Sequence, residues 1–511
     1  MTKKSKIVTS KYVTSSNTDA SKWLNISVII ATLFIFQIIY FGLSVTVAII
    51  CTLIAILIIL HVVIKFSAIF KLESKIAFKA DTNYLPFVSI HIACKSEPAE
   101  IVNKTVKAMT ELDYPNYEVI VINSNSIDKE NWYKIQKYVE SCGDNYKFVH
   151  LDTVDGFKAG ALNYLNDNNV NAEVEVIAIV DSDYIVKPDF LKKTVIYFKN
   201  PNVGIVQAPQ CYYNVNSNNI GLFYEYRSFF AIVMHQAQRL NLVTFLGTMG
   251  LIKADLLKKG LKWNEWCITE DVEAGVNINS QGYSGVYIDE CLGKGLMPFD
   301  YSSLIKQRQR WTYGNMQIIK KDLLSMILGS NRTLSIQQKF AFLAQLVTWF
   351  HFELIIAITY LSLNICLLLN NNDVALIFSN NLMVTLLAIS MISNLIYFMV
   401  GLRKDATLIQ RFKAFLVHYG LLYTMSSSWL TCLLGHELGF NVTRKEKKEK
   451  NTPISQYYKE LIIIIILSFG LIISILRGDN NITSIIIVLL TLILEISGIA
   501  YLFKSFKEPK S

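Results

Sequence analysis

Three short stretches of this chain hold residue types that can do chemistry. In VDSDYIVKPDFL (180–191) an apolar strand runs out into Asp181-Ser182-Asp183. Ligands of open α/β sheets bind beyond the carboxyl ends of the strands, so two carboxylates there are placed to hold a hard cation on a diphosphate. The same residues also suit a plain turn or helix cap. Downstream, CITED (267–271) offers Asp271 as a general base, which needs only hydrogen-bond reach to the hydroxyl it deprotonates. Thr269-Glu270-Asp271 equally suits the first turn of a helix. The third stretch is QRQRW, Gln307 to Trp311, just ahead of a long apolar segment. Taken alone it reads as a membrane-surface helix with snorkelling basic side chains and an interfacial tryptophan.

The elements that must position these residues belong to a membrane protein. The chain has 511 residues, 52% of them hydrophobic, and a positive mean hydropathy, which excludes a purely soluble protein and leaves room for one large domain and several spans. The net charge of +9, from 49 Lys and Arg against 40 Asp and Glu, is concentrated in MTKKSK (1–6), RKEKKEK (444–450) and KSFKEPKS (504–511). Basic clusters beside apolar runs mark the cytoplasmic side of a bilayer, and no nucleic-acid partner is expected. Eight cysteines stand singly with no CxxC, so neither a disulfide framework nor a zinc site is expected.

After a tail (1–22), the uncharged runs 23–45 and 46–66 are each long enough to cross a hydrocarbon core of about 30 Å and form a hairpin over 23–66. From 85 to 335 the strand-like runs 87–93, 117–124, 174–183 and 203–209 alternate with helical stretches, the pattern of a parallel α/β sheet. A second hairpin follows over 337–402, with runs at 340–369 and 382–402, and a third over 459–505, with runs at 461–476 and 482–503, before the basic tail 506–511. Between them, in 405–458, the apolar but polar-studded 413–440 reads as an amphipathic helix on the cytoplasmic surface, because a span there would carry RKEKKEK outside. The expectation is six spans with both termini inside. Trp349, His351, Glu353 and Tyr360 within the later spans either line a polar path or pack between helices.

The order DSD, TED, QRQRW in a cytoplasmic α/β domain flanked by spans resembles the processive family 2 glycosyltransferases, and most closely the catalytic subunit of bacterial cellulose synthase and related β-glucan synthases, over residues 85–505. Glu97 in KSEP, Lys158 in GFKAGALN (156–163), Gln207 in VQAP, Gly247 and Thr248 in FLGTMG (245–250), and FNVTRK (440–445), which matches an FxVTxK gating loop, extend the likeness. The resemblance implies a glycosyltransferase A-type, Rossmann-like domain set between transmembrane helices. It implies Asp271 as base, Asp181 and Asp183 on Mg²⁺ or Mn²⁺, and a nucleotide-sugar site built from Glu97, Asn123, Lys158, Asp181, Gln207, Arg310, Thr443 and Lys445. Gly247, Thr248, Glu270, Gln307 and Trp311 would meet the acceptor, and Phe440, Val442, Thr443 and Lys445 would form the gating loop.

Two departures stand out. Asn123 occupies the position where the family has an Asp that grips uracil, and ACKSEP keeps only the Glu97-Pro98 end of the usual PTYNEP. No PilZ domain follows the last apolar run, so control by cyclic di-GMP through this chain is not expected. The implied activity is transfer of glucose from UDP-glucose to a growing β-glucan, β-1,4 or mixed β-1,3;1,4, with export across a bacterial plasma membrane. The alternatives are a β-1,3-glucan or hyaluronan- or chitin-like synthase, a single-addition transferase acting on a lipid carrier, and a channel or scaffold with a degenerate transferase domain.

Overall fold

Near-continuous apolar runs such as VSIHIAC and YEVIVINS bury both faces of their strands, as strands covered by helices on two sides do. The computed structural model describes residues 42–69, 74–168, 170–328, 334–370, 373–438, 457–479 and 481–507. After helix α1 (Leu43–Ile69) the chain builds an α/β domain from β1 (Val88–Cys94), α2 (Ala99–Thr110), β2 (Tyr117–Ser124), α3 (Lys129–Glu140), β3 (Tyr146–Leu151), α4 (Phe157–Asn168), β4 (Val176–Ile179), β5 (Ile185–Val186), α5 (Phe190–Thr194), β6 (Val203–Gln207) and β7 (Cys211–Tyr212). It continues with α6 (Ile220–Ser228), a π-helical turn (Phe229–Met234), α7 (His235–Arg239), β8 (Gly250–Lys253), α8 (Ala254–Lys258), α9 (Glu270–Ser280), β9 (Ser284–Tyr287) and β10 (Gly293–Gly295).

Seven strands form one sheet in the order β3-β2-β1-β4-β8-β6-β9, and β5-β10-β7 form a small second sheet. Val88, Ile90 and Ile92 pack with Val102, Val106, Ile135 and Val139 of α2 and α3 on one face. On the other, Ile120 and Ile122 meet Ala161 and Leu165 of α4, and Ile177, Ile179 and Ile252 meet Ala274 and Ile278 of α9. The sheet is mixed, which corrects the all-parallel expectation. β8 pairs antiparallel with both β4 and β6; the chain reaches it from the α6–α7 helical stretch through a loop with Gly247 and Met249 at positive φ.

The remainder is helical: α10 (Tyr301–Leu328), α11 (Ile336–Val347), α12 (Glu353–Leu369), α13 (Val374–Gly401), α14 (Leu408–Tyr419), α15 (Leu422–Leu433), α16 (Leu461–Leu476) and α17 (Ile482–Ser505). Among the described residues three helices are long and apolar enough to cross a membrane, within Ser44–Ile69, Val374–Gly401 and Ile482–Ser505, and two apolar helices, Glu353–Leu369 and Leu461–Leu476, are shorter. The described residues therefore do not present six full spans. The run 23–41 and the FNVTRK stretch lie outside the described residues.

The apolar run 340–369 is not one helix. A Ser335–Gln338 capping box starts α11, and Gln345 ties this helix to the α/β domain, accepting from the Thr244 amide at 3.1 Å and donating to the Leu242 carbonyl at 3.0 Å. The chain then breaks over Thr348–Phe352, where Glu353 turns inward to His351 at 3.2 Å and accepts from the Ser390 hydroxyl at 2.6 Å. The segment 413–440 likewise divides into α14 and α15, each of 12 residues and neither long enough to span. They part at Gly420, where the backbone of α14 meets that of α17. A Cβ at Gly498 would lie 2.5 Å from the Gly420 amide nitrogen and 2.5 Å from the Leu416 carbonyl oxygen. Gly498→Val is expected to push α14 off α17 and destabilise the fold by about 1–3 kcal/mol, the usual cost of forcing extra bulk into a close contact, read as a lower unfolding temperature in detergent.

Candidate active site

A cleft of about 260 Å³ opens at the carboxyl ends of β1 and β4, between the sheet and the helices that lead to the apolar bundle. Its ionic half is built by four elements. β4 ends at Ile179, and Asp181 follows it into the cleft. Lys158, in the first turn of α4, donates to Asp181 Oδ1 at 2.7 Å and to the Gly247 carbonyl at 3.1 Å. Glu270 and Asp271 stand in the first turn of α9, where the helix N-terminus favours negative charge. Arg310 reaches in from α10. Gly247, at φ +78°, lies so close to Asp271 that a Cβ there would sit 2.2 Å from its Oδ2. The left-handed backbone and the lack of a side chain together let this loop abut the carboxylate.

Glu270 is buried, while the Lys158 and Asp181 side chains keep 25% and 38% of their surface exposed, so the charges act on one another at the edge of a partly wet cleft. Burial first, then the neighbouring Asp271, pushes Glu270 up to about 8 against the pull of Lys158, so it is largely protonated at neutral pH. Burial also raises Asp271, with Lys158 drawing it back toward the ionised form. Lys158 itself would lose affinity for its proton by burial, but Asp181, Glu270 and Asp271 outweigh that and hold it above the ordinary lysine range. Burial lowers Arg310, and Glu270, Asp181 and Asp271 oppose the drop.

The opposite half is aromatic, with Tyr226, Phe229, Phe230, Trp311 and Trp349 on its wall. Phe229 and Phe230 open the π-helical turn, a local over-widening of the kind that re-aims side chains at functional sites. Trp349 stacks on Phe229 with centroids 5.9 Å apart and meets Trp311 at 5.5 Å. The arginines of QRQRW divide between the two halves. Two positions along an α-helix are about 200° apart, so Arg310 faces the carboxylates while Arg308 points away. The Arg308 side chain is fully buried and ion-paired with the equally buried Glu225, and its guanidinium lies over Tyr226, Trp349 and Trp311 at 4.1, 4.3 and 4.9 Å. Gln307 accepts a hydrogen bond from the Tyr226 hydroxyl.

Residues 89–261 match the model of glycosyl transferase family 2, and residues 176–427 match that of glycosyl transferase family group 2. The chain carries a family 2 glycosyltransferase domain. It is 27% identical over 265 residues to the probable glucomannan 4-beta-mannosyltransferase 7 of Oryza sativa subsp. japonica, covering 50% of this chain and 44% of that protein. It is 25% identical over 257 residues to glucomannan 4-beta-mannosyltransferase 7 of Arabidopsis thaliana, covering 49% and 46%. The chain thus spans less than half the length of these curated relatives. Among solved structures, the mannosyltransferase PcManGT from Pyrobaculum calidifontis in complex with GDP-Man and Mn²⁺ aligns with a TM-score of 0.48 at 16% identity, covering 77% of this chain and 98% of that one.

Of the residues singled out in the sequence, Glu97, Lys158, Asp181, Gly247, Glu270, Asp271, Gln307, Arg310 and Trp311 line the transferase cleft. Four others turn into the protein instead. Asn123 is fully buried, accepting from His150 Nδ1 at 3.1 Å and donating to Cys94 Sγ at 3.5 Å. Side chains alternate along a strand, and it is the next residue, Ser124, that lines the cleft. Gln207 braces the 245–250 loop, donating to the Thr248 carbonyl at 2.8 Å and accepting from the Leu246 amide at 2.9 Å. The Thr248 hydroxyl accepts from the Asp181 amide at 3.1 Å. Asp183 is 2% exposed and accepts from the Leu296 amide at 3.0 Å, because a turn closed by the Tyr184 amide on the Asp181 carbonyl sends the two aspartates apart. Phe440, Val442, Thr443 and Lys445 lie outside the described residues.

Of the two carboxylates expected on a metal, Asp181 lines the cleft and Asp183 does not, and no group of three His, Cys, Asp or Glu that could hold a metal occurs among the described residues. Asp181 alone fits a cation that takes one protein carboxylate and fills its remaining positions from substrate phosphates and water. Sequence reasoning passed over Arg308, Glu225, Tyr226, Phe229 and Phe230; the only available signal was the second arginine of QRQRW itself, two positions from the first. Glu225→Gln leaves the buried Arg308 charge without its counter-ion and is expected to destabilise the protein by about 3–5 kcal/mol, measured by denaturation in detergent.

Proposed function

We propose that this chain is a processive, inverting β-hexosyltransferase that lengthens a β-linked glycan from a nucleoside-diphosphate hexose and passes the product across a membrane. The observation that carries the reading is one cleft holding Lys158, Asp181, Glu270, Asp271 and Arg310 opposite a wall of aromatic faces, beside the apolar bundle. Cationic groups suit a diphosphate and aromatic faces suit the apolar faces of sugar rings.

Asp271, buried and raised but still drawn toward ionisation by Lys158, takes the proton of the acceptor hydroxyl. The hydroxyl oxygen bonds to the anomeric carbon from the face opposite the leaving group. The bond from that carbon to the diphosphate breaks with its electron pair on the departing oxygen, where Arg310 and Lys158 offset the charge. An α-linked donor then yields a β-linked product. Glu270, protonated at neutral pH, can donate a hydrogen bond to donor or acceptor. Trp311 and Trp349 hold the acceptor end against the cleft. A divalent cation, held on the protein side by Asp181, would neutralise the diphosphate when bound.

The motifs shared with β-glucan synthases favour UDP-glucose and a β-glucan. A mannosyl donor and a β-1,4-mannan or glucomannan form the second reading, favoured by the activity printed for the two plant relatives and by the burial of Asn123 away from the cleft where a uracil contact was expected. Purified protein in lipid nanodiscs, given Mg²⁺ or Mn²⁺ with either UDP-glucose or GDP-mannose, is expected to release nucleoside diphosphate and build polymer. β-Glucanase digestion identifies the first product and β-mannanase the second, while short, lipid-extractable products would mark single addition to a carrier. Asp271→Asn is expected to lower turnover by about 10²–10⁴-fold; full activity in that variant would remove Asp271 from the reaction.

The pH dependence carries a sign. Because Asp271 is raised, it keeps its proton to higher pH than an exposed aspartate, and kcat/KM falls as pH drops through that raised value. Lys158 is the cation pulling Asp271 down, so Lys158→Met is expected to move the acid limb of the residual activity to higher pH. An unmoved limb in the pH–rate profile would assign it to another group.

A further inference from the structure

A second cavity lies away from the cleft, where the ends of α13 and α17 meet α14. It is an apolar hollow of about 590 Å³ whose wall includes Leu408, Ile409, Phe412 and Tyr501, with Lys413 and Lys504 also on it. A capping box of Thr407 and Gln410 fixes the start of α14, which leaves Leu408 63% and Ile409 69% exposed and Phe412 44% exposed. Three large apolar side chains side by side on a helix of 12 residues are costly in water and suit an interfacial helix. The location agrees, since α13 and α17 are two of the helices long enough to cross a membrane, and the hollow takes Met399 and Lys504 from their last turns.

Basic side chains outnumber acidic ones at this end, where Asp405 is the nearby carboxylate and pairs with Arg227. Neither Lys413 nor Lys504 forms an ion pair with a described carboxylate, and Arg403, Lys404 and Lys507 lie close along the chain at the same helix ends. An apolar slot with two ammonium groups at its edge matches an acyl chain joined to a phosphodiester. We propose that this groove binds an anionic glycerophospholipid of the surrounding leaflet, one acyl chain in the hollow and the phosphodiester between Lys413 and Lys504. The lipid would also brace the catalytic side: Tyr501 accepts a hydrogen bond from the Gly221 amide of α6 at 3.1 Å, and α6 carries Glu225 and Tyr226.

Native mass spectrometry of the full chain, released from micelles holding equal amounts of phosphatidylglycerol and phosphatidylcholine of identical acyl chains, tests this without reference to turnover. The wild type is expected to retain one phosphatidylglycerol in preference to phosphatidylcholine by about tenfold or more, the scale set by two lysines at an anionic surface. Lys413→Gln with Lys504→Gln is expected to erase the preference, and Ile409→Ser to weaken retention of both lipids, each with an unchanged unfolding temperature in lipid-free detergent. Equal retention of the two lipids by the wild type, or an undiminished preference in the double lysine variant, would overturn the proposal. So would displacement of the bound lipid by millimolar inorganic phosphate, which would mean that the site reads the anion alone.

Discussion

The cleft depends on the Lys158 ammonium. Asp181, Glu270 and Asp271 converge on one cleft, with Glu270 buried and the other two partly exposed, and three carboxylates so close would repel one another and hold their protons. Lys158 bonds Asp181 and the Gly247 carbonyl at once, which ties the end of β4 to the loop that abuts Asp271. One side chain therefore sets both the shape of the ionic half and the protonation of the candidate base. Glu270 and Asp271 are neighbours in sequence, and burial raises both while Lys158 draws both back toward the ionised form.

Helix α10 joins this ionic half to the aromatic one. Its geometry sends Arg310 to the carboxylates and Arg308 to Glu225, so a single pentapeptide serves two surfaces. The buried Arg308–Glu225 pair costs desolvation, offset in part by the three rings over which the guanidinium lies. Those rings are also part of the cleft wall, so the pair that holds them in place fixes the surface a sugar would meet. Further along, Tyr313 of α10 donates to the His436 carbonyl at 3.0 Å and Tyr301 stacks on Tyr457 at 3.7 Å, which brings distant parts of the chain onto the same helix.

Beyond the cleft the buried polar groups persist into the apolar bundle. Glu353 joins His351 and Ser390, and Lys65 donates to Asn394 at 2.8 Å. Ionisable side chains among apolar helices are expensive and persist where they are mutually paired or face a polar path. Tyr360, by contrast, packs on Gly470 between helices. Of the four polar and aromatic positions noted in the later apolar runs, Trp349 reaches the cleft, His351 and Glu353 pair with each other, and Tyr360 serves packing.

The sequence by itself determined the chemistry-bearing residue types, their order along the chain, and the alternation of apolar runs with an α/β domain, because composition and local periodicity carry those signals. Nine of the expected site residues line one cleft, and all but Gly247, in the loop before β8, sit where local rules place them: after a strand, in the first turn of a helix, or on one face of α10. Tertiary structure alone decided the rest. A turn after β4 parts Asp183 from Asp181, strand alternation hides Asn123, and the loop before β8 takes Gln207 and Thr248 as braces. The insertion of β8, the division of 340–369 into two helices and the Gly420–Gly498 contact likewise depend on which distant backbone arrives alongside. Direction at a strand end and close approach between remote segments are set by packing, and one residue of offset is enough to turn a side chain from cleft to core.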